Sequence, residues 1–139
     1  IIQNSLDSLF SVIGLGGIII GGFALLAGGF GIANIMFVSV NERINQIGIQ
    51  KALGARRQFI LLQFLVESII LSILGGAIGM LLTGLAVYIA NQNFEFEFIL
   101  SMDNIILGLV ISSVIGIIFG IIPAIRASVK DPVEAMRAN

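Results

Sequence analysis

The chain has 139 residues, of which 58% are hydrophobic and 11% charged, and its net charge is −1. An ordinary soluble domain carries roughly 25% charged residues, and the long apolar runs here have no polar face, which argues against a soluble helical bundle. The sequence has no Cys and no His, which removes thiol redox chemistry, the usual zinc ligands and histidine acid–base catalysis.

The charges predict a topology. All seven basic residues lie in the segments 43–57 and 126–137, whereas residues 91–104 contain three acidic residues and no Lys or Arg. Because basic residues favour the cytoplasmic side, we expect a multi-pass cell-membrane protein that begins outside, crosses three times and ends inside. The predicted fold is all-α: three transmembrane helices, a short cytoplasmic helix between the first two, and a short C-terminal cytoplasmic helix.

Residues 1–11 are predicted to form the end of an extracytoplasmic stalk helix. Ile2, Leu6 and Leu9 recur at helical spacing, with polar residues on the other side. No basic segment with a small-residue cleavage site precedes the first apolar run, so a signal peptide is not indicated. The first residue is Ile rather than Met, and we expect the chain to be the C-terminal part of a longer protein.

Residues 12–40 predict the first transmembrane helix. The run exceeds the ~20 residues that cross a bilayer, so it should tilt or project beyond the lipid. Gly17 and Gly21 form a GxxxG pair, which permits close helix contact in lipid. Asn34, near the inner end, is interpreted as an interhelical hydrogen-bond donor.

Residues 41–58 predict a short cytoplasmic helix that lies across the inner membrane face. Leu53 followed by Gly54 is typical of a helix end with Gly at C′, and Gly48 permits a bend between the first helix and a short second one. The residues alone leave two alternatives open. The segment either docks into a groove of another protein or rests on anionic lipid through its basic side chains.

Residues 59–90 predict the second transmembrane helix, with a further GxxxG pair at Gly75 and Gly79. Glu67 lies within this run, about eight residues or ~12 Å from its start. An ionisable residue at membrane depth indicates a proton relay or an ion pair, here with Arg56 or Arg57. Alternatively, Glu67 lies at the level of the cytoplasmic headgroups.

Residues 91–104 predict an extracytoplasmic loop. Residues 94–98 alternate Phe and Glu, the period of an extended strand, and cation binding by Glu95 and Glu97 is a weak alternative to simple solvation. Ser101 is positioned as the N-cap of the third span. That span, residues 105–123, has four small residues on one face. They are Gly108, Ser112, Gly116 and Gly120.

The small-residue faces have two interpretations, packing within one bundle or an interface between two protomers. Three helices are too few to enclose a wide aqueous path, so we expect partner helices from the missing part of the chain and from a second protomer.

Residues 124–139 predict a cytoplasmic tail. Pro123 should kink or end the third helix, and residues 124–129 can continue it for a turn or two. Asp131 is placed as the N-cap of a short helix from Pro132 to Arg137. An isolated helix of this length is only marginally stable, so contacts with the rest of the protein must stabilise it.

Five blocks of sequence together resemble the MacB/FtsX-like family of ABC transporter permeases, from about Ile13 to the end. Residues 34–55 carry the main block. They read Asn-Ile-Met-Phe-Val-Ser-Val-Asn-Glu-Arg-Ile-Asn-Gln-Ile-Gly-Ile-Gln-Lys-Ala-Leu-Gly-Ala. The later blocks are Gln-Phe-Leu-Val-Glu at 63–67, Gly-Gly-Ala-Ile-Gly at 75–79, Gly-Ile-Ile-Pro-Ala-Ile-Arg-Ala at 120–127 and Asp-Pro-Val-Glu-Ala at 131–135. Gln46 stands where an acidic residue is common in the family, and the last residues differ in detail.

The resemblance implies that this chain supplies helices two, three and four of a four-helix permease, whose large extracytoplasmic domain lies between helices one and two. It also implies that residues 42–55 contain the coupling helix that docks on a nucleotide-binding domain, and it favours docking on protein over lipid. The expected coupling residues are Glu42, Arg43, Ile47, Gly48, Ile49, Lys51, Leu53 and Gly54. We expect Gly48, Ile49 and Leu53 to contact the ATPase.

The function that the resemblance implies is that of a non-catalytic permease part of an ATP-driven exporter, working by mechanotransmission. The chain has no GxxxxGK[ST] loop, so ATP and Mg should bind a fused or separate partner. Permeases of this family pair as dimers, and an extracytoplasmic membrane fusion protein is a further candidate partner besides the lipid bilayer; no nucleic-acid partner is expected. The alternatives are an FtsX-type scaffold that relays ATPase state to an external cell-wall hydrolase, and an ion-conducting oligomer that uses Glu67.

Overall fold

The computed structural model describes residues 2–93 and 101–137, and these form five helices without a strand. The helices are α1 (Ile2–Glu42), α2 (Ile44–Ala52), α3 (Arg57–Asn93), α4 (Met102–Val129) and α5 (Pro132–Arg137). The predicted all-α fold class is confirmed for this part of the chain. The alternating segment 94–98, with Glu95 and Glu97, lies outside the described residues.

Three of the helices, α1, α3 and α4, are long and apolar enough to cross a membrane. They contain 41, 37 and 28 residues, and each exceeds the ~20 residues that a perpendicular span needs. The first helix is continuous from Ile2 to Glu42, so the expected stalk residues and the first span form one rod. Each rod must tilt in a bilayer or project from it.

The ends of α4 and α5 follow from local side-chain chemistry. Ser101 caps α4, and its hydroxyl accepts a hydrogen bond from the Asp103 amide at 3.4 Å; this cap was predicted. Asp131 caps α5 by accepting from the Val133 amide at 2.8 Å, also as predicted. Pro123 does not end α4, which continues to Val129. The buried Pro123 is tolerated because neighbouring helices support the backbone there.

Helices α3 and α4 form an antiparallel hairpin whose seam consists of small side chains. Each step of four residues along α4 is matched by a step of four back along α3. The facing pairs are Gly108 with Met80, Ser112 with Gly76, Gly116 with Ser72, and Gly120 with Ser68. The four small residues predicted to share one face of the third span therefore lie against α3 of the same chain.

The seam is both tight and hydrogen-bonded. The hydroxyl of Ser68 donates to the Gly116 carbonyl at 3.0 Å, and that of Ser72 donates to the Ser112 carbonyl at 2.5 Å. A Cβ added at Gly116 would lie 2.9 Å from the Ile69 Cα, so no larger residue fits without separating the helices. Interhelical bonds of this kind stabilise membrane helix pairs by about 1 kcal/mol each.

Helix α1 packs on the hairpin near one end only, which we call the basic end because residues 42–57 and 126–137 lie there. The Phe119 ring covers Gly29 and makes an edge contact with Phe30, with ring centroids 5.3 Å apart. The Arg126 guanidinium lies over the Phe37 ring at 4.9 Å, a cation–π contact. Residues 3–28 of α1 are almost entirely exposed.

The hydrophobic core also lies at the basic end. It joins α1, α2, α3 and α4, and it contains Met36, Val40, Ile47, Ile60, Phe64, Ala124 and Ala127. The core fixes the relative positions of the four helices where the basic segments begin, and it leaves their opposite ends without comparable packing.

The glycines of the other two GxxxG pairs make no tight contact with the described residues, although Gly75 lines a cavity of about 280 Å³ between α1, α3 and α4. A Cβ added at Gly17, Gly21, Gly75 or Gly79 would have no heavy atom within 4 Å. These two faces are open in the protomer, whereas the α4 face is filled by α3.

Candidate functional site

The connection between α1 and α2 bends at Arg43, which has φ −100° and ψ 13° and so interrupts the helix. The predicted bend at Gly48 is wrong, because Gly48 lies inside α2 and is buried. The backbone hydrogen bonds from Arg43 to Ser39 and from Ile47 to Arg43 keep the turn tight, at 3.1 and 3.0 Å. The chain therefore turns before α2 rather than within it.

The predicted C-terminal glycine of α2 is confirmed at Gly54, which has φ 96°. The Gly54 amide donates to the Lys51 carbonyl at 3.0 Å, and the Ala55 amide donates to the Gln50 carbonyl at 2.9 Å. These two bonds define a Schellman motif, in which glycine takes the left-handed conformation without Cβ strain. The motif ends α2 and directs the chain into α3.

The two faces of α2 have opposite environments. Ile47 is 2% exposed and belongs to the core, and Gly48 beside it is buried. On the other face, Ile49 is 48% exposed and Leu53, at the tip, is 84% exposed. Of the three residues expected to contact an ATPase, Ile49 and Leu53 are thus available to a partner, whereas Gly48 faces the interior.

Most basic side chains of residues 43–57 have partners within the chain. Arg43 Nη1 lies 3.4 Å from Glu67 Oε2, so the ion pair of Glu67 is with Arg43, not with the predicted Arg56 or Arg57. The predicted partners, Arg56 and Arg57, are nearer to Glu67 in the sequence than Arg43 is. The turn at Arg43 brings its side chain back onto α3, where Glu67 lies. Arg57 Nε donates to Ser128 Oγ at 3.4 Å.

Lys51 connects α2 to the tail. Its ammonium donates to the Lys130 carbonyl at 2.5 Å. Burial lowers the pKa of Lys51 below its usual value, the nearby positive charge of Arg57 lowers it further, and Asp131 acts in the opposite direction. Lys51 is therefore a tail contact rather than a free surface charge.

Sequence reasoning missed two exposed residues next to Leu53. A cleft of about 560 Å³ opens at the end of α2, and its lining includes Arg56 and Phe59. Phe59 is 60% exposed, and Arg56 differs from Arg43, Lys51 and Arg57 in having no side-chain partner among the described residues. The signal in the sequence was Phe59, a large apolar residue that follows Arg56 and Arg57 closely.

The other predicted polar residues lie away from this cleft. Asn34 and Glu42 are exposed and line a shallow groove on the outer face of α1. Glu67 faces the turn at Arg43. Within the described ranges, no three acidic side chains cluster in a way that would hold a metal ion.

Comparison with known proteins identifies the family. A family model described as the FtsX-like permease C-terminal domain matches residues 18–132. The chain belongs to the FtsX-like permease family.

Curated relatives agree with this assignment. The chain is 43% identical to a macrolide export ATP-binding/permease protein MacB of Bdellovibrio bacteriovorus, covering 98% of this chain and 21% of that protein. It is 44% identical to an uncharacterized ABC transporter permease of Bacillus subtilis, YvrN, covering 83% of this chain and 31% of that protein. A MacB of Bartonella quintana is 46% identical, with coverages of 84% and 18%.

This FtsX-like chain is thus the permease part of an ABC transporter of the MacB/FtsX type, and its three apolar helices make it a multi-pass membrane protein. It spans between about a fifth and a third of the length of these relatives, 21% and 31% in the first two.

Proposed function

We propose that the chain transmits the movement of an ATP-driven nucleotide-binding domain across the membrane, as the permease portion of a MacB-like exporter. The observation that carries this proposal is the division of α2 into a buried face in the core and an exposed tip. A helix built this way can receive a push on Leu53 and pass it to the core through Ile47.

The docking surface that we assign consists of Ile49, Leu53, Arg56 and Phe59, together with the Schellman turn at Gly54. Apolar side chains grouped around a cleft favour a partner that inserts side chains of its own. Arg56 is available to a carboxylate on that partner, because it has no side-chain partner among the described residues. Of the other expected coupling residues, Ile47 and Gly48 support this surface from the buried face of α2, and Lys51 holds α2 to the tail. Arg43 pairs with Glu67, and Glu42 lies on α1, away from the cleft.

The packing supports mechanical transmission. The core joins α2 to α1, α3 and α4, and the small-residue seam holds α3 and α4 together along much of their length. Packed interfaces of this kind shift between discrete arrangements rather than deform continuously. A displaced α2 therefore moves the inner ends of the three long helices together.

The same proposal includes the topology and the partners. The basic end lies in the cytoplasm, by the positive-inside rule, so the C-terminus is cytoplasmic. ATP and Mg bind the nucleotide-binding domain, fused or separate, and this chain has no catalytic role. A second protomer covers the open faces of α1 and α3 in a dimer, and an extracytoplasmic membrane fusion protein is a further partner.

The test is Leu53→Asp in the complete transporter. A charge at the 84% exposed tip should stop ATP hydrolysis from driving transport, while membrane insertion is retained because Leu53 contacts little within the chain. Leu53→Met is the matched control, since it keeps an apolar side chain of similar size at the same position. Coupled transport in the Leu53→Asp protein, or its equal loss in the control, would remove the docking assignment.

A further inference from the structure

The position of α2 is not set by the helix that precedes it. With nine residues, α2 is shorter than the ~12–15 residues at which isolated helices become stable in water. Arg43 interrupts the helix before it, so α1 does not continue into α2 as a rigid rod. Contacts from elsewhere in the fold must hold α2 in place.

The C-terminal part of the chain provides those contacts. Helix α2 packs mainly against α5 and has few contacts with α1. The Lys51 ammonium donates to the Lys130 carbonyl at 2.5 Å, at the junction between α4 and α5. A neighbouring bond, from the Arg57 guanidinium of α3 to the buried Ser128 hydroxyl of α4 at 3.4 Å, holds α3 against α4.

The tail is itself anchored. The Ser128 hydroxyl donates to the Ile125 carbonyl at 2.8 Å, and Ala124 and Ala127 of the same stretch belong to the core. The Asp131 cap fixes the start of α5 directly after Lys130. The acceptors that Lys51 and Arg57 reach are therefore held by the inner end of α4.

We propose that the segment from Lys130 to Arg137 is a brace that sets the position of α2, and that Lys51 is the positioning residue that engages it. The functional part of this inference rests on α2 being the coupling surface. The brace ties the coupling tip to α4, so a movement imposed at Leu53 reaches α4 directly as well as through the core.

The brace is testable without an ATPase. This chain contains no Cys. In the reconstituted full-length permease, with any cysteine outside these residues replaced, the double substitution Leu53→Cys and Val133→Cys places two spin labels on exposed positions of α2 and α5. We expect one narrow distance distribution in the parent. In Lys51→Met we expect a second, longer distance, because losing a hydrogen bond from a charged donor raises the ratio of undocked to docked tail by about tenfold.

The matched controls remove other positive charges of this region, whose side chains make no bond between α2 and the tail among the described residues. Lys130→Met keeps the carbonyl that accepts from Lys51, and Arg56→Met removes an arginine without a tail partner, so both should retain the narrow distance. Lys51→Arg should also retain it, because a guanidinium can donate to the same carbonyl. A narrow distance in Lys51→Met, or equal broadening in the controls, would overturn the brace.

The functional consequence is measured in the complete transporter with its ATPase. We expect Lys51→Met to reduce transport per ATP hydrolysed severalfold while the ATPase still copurifies, since Leu53 and its cleft are intact, and Lys51→Arg should restore coupling. If Leu53→Asp uncouples transport and Lys51→Met does not, the brace has no role in coupling and the docking assignment stands. If neither uncouples transport, the proposed function itself fails.

Discussion

The two ends of this helical bundle are built differently. At the basic end, four helices share a core, the Arg43–Glu67 ion pair joins the turn before α2 to α3, and Lys51 joins α2 to the tail. Toward the opposite end, α1 is almost entirely exposed over residues 3–28, and its glycines at 17 and 21 face open space.

Under the proposed function, the difference matches where rigidity is needed in the protein. A force applied at one end is passed on only if the helices are locked together where it enters, whereas their far ends must remain free to meet partners. Substitutions of the same kind at the two ends should therefore have unequal effects within the protomer.

The largest expected effect is from Phe64→Ala, because Phe64 is completely buried in the basic-end core. A Phe→Ala change lowers the free energy of unfolding by ~3–5 kcal/mol in the cores of soluble proteins. We expect a loss of about 3 kcal/mol here, because lipid does not replace the packing that the ring provides. Unfolding of the detergent-solubilised protein by added SDS measures it. The control Leu81→Ala alters a side chain that is 74% exposed; an equal loss there would contradict the comparison.

The α3–α4 seam gives the next effect. Gly116→Val should destabilise the protein by about 2 kcal/mol, as overpacking does, because a Cβ there lies 2.9 Å from the Ile69 Cα and 2.9 Å from the Ser72 Cβ. Gly21→Val, made in open space, should leave the stability of the protomer unchanged. The same SDS titration compares the two, and a destabilised Gly21→Val protomer would mean that the α1 glycines pack within the chain.

A smaller effect is expected at the end of α2. Gly54→Ala forces a Cβ into a backbone with φ 96°, at a cost of about 1 kcal/mol. The change should loosen the Schellman turn without altering the spans. Faster amide hydrogen exchange at residues 53–55, with unchanged exchange in α3, is the expected result; unchanged exchange at those amides would show that the turn does not depend on glycine.

The smallest effect is expected from the Arg43–Glu67 pair. Both side chains are partly exposed, and such pairs contribute about 0.5 kcal/mol. A double-mutant cycle with Arg43→Met and Glu67→Gln measures the coupling energy, with Arg56→Met and Glu67→Gln as the control cycle. Coupling confined to the control cycle would restore the pairing with Arg56 that the sequence predicted.

Several features were predictable because they depend on neighbouring residues alone. The caps at Ser101 and Asp131 and the glycine ending of α2 were identified correctly, since each consists of one side chain or one φ value acting on the next few amides. The bend assigned to Gly48 was wrong because glycine permits a bend without requiring one. Here the chain bends at Arg43, where Glu67 on a distant helix binds the side chain.

The sequence by itself determined the number and apolar character of the three spans, because a backbone in hydrocarbon must satisfy its own hydrogen bonds over a fixed thickness. Only the tertiary structure decided which small-residue face is covered by another helix and which face of α2 remains exposed. It also decided which basic side chains form bonds within the chain. Small residues allow close approach without choosing a partner. That choice depends on how α1, α3 and α4 meet around one core, which involves residues far apart in the sequence.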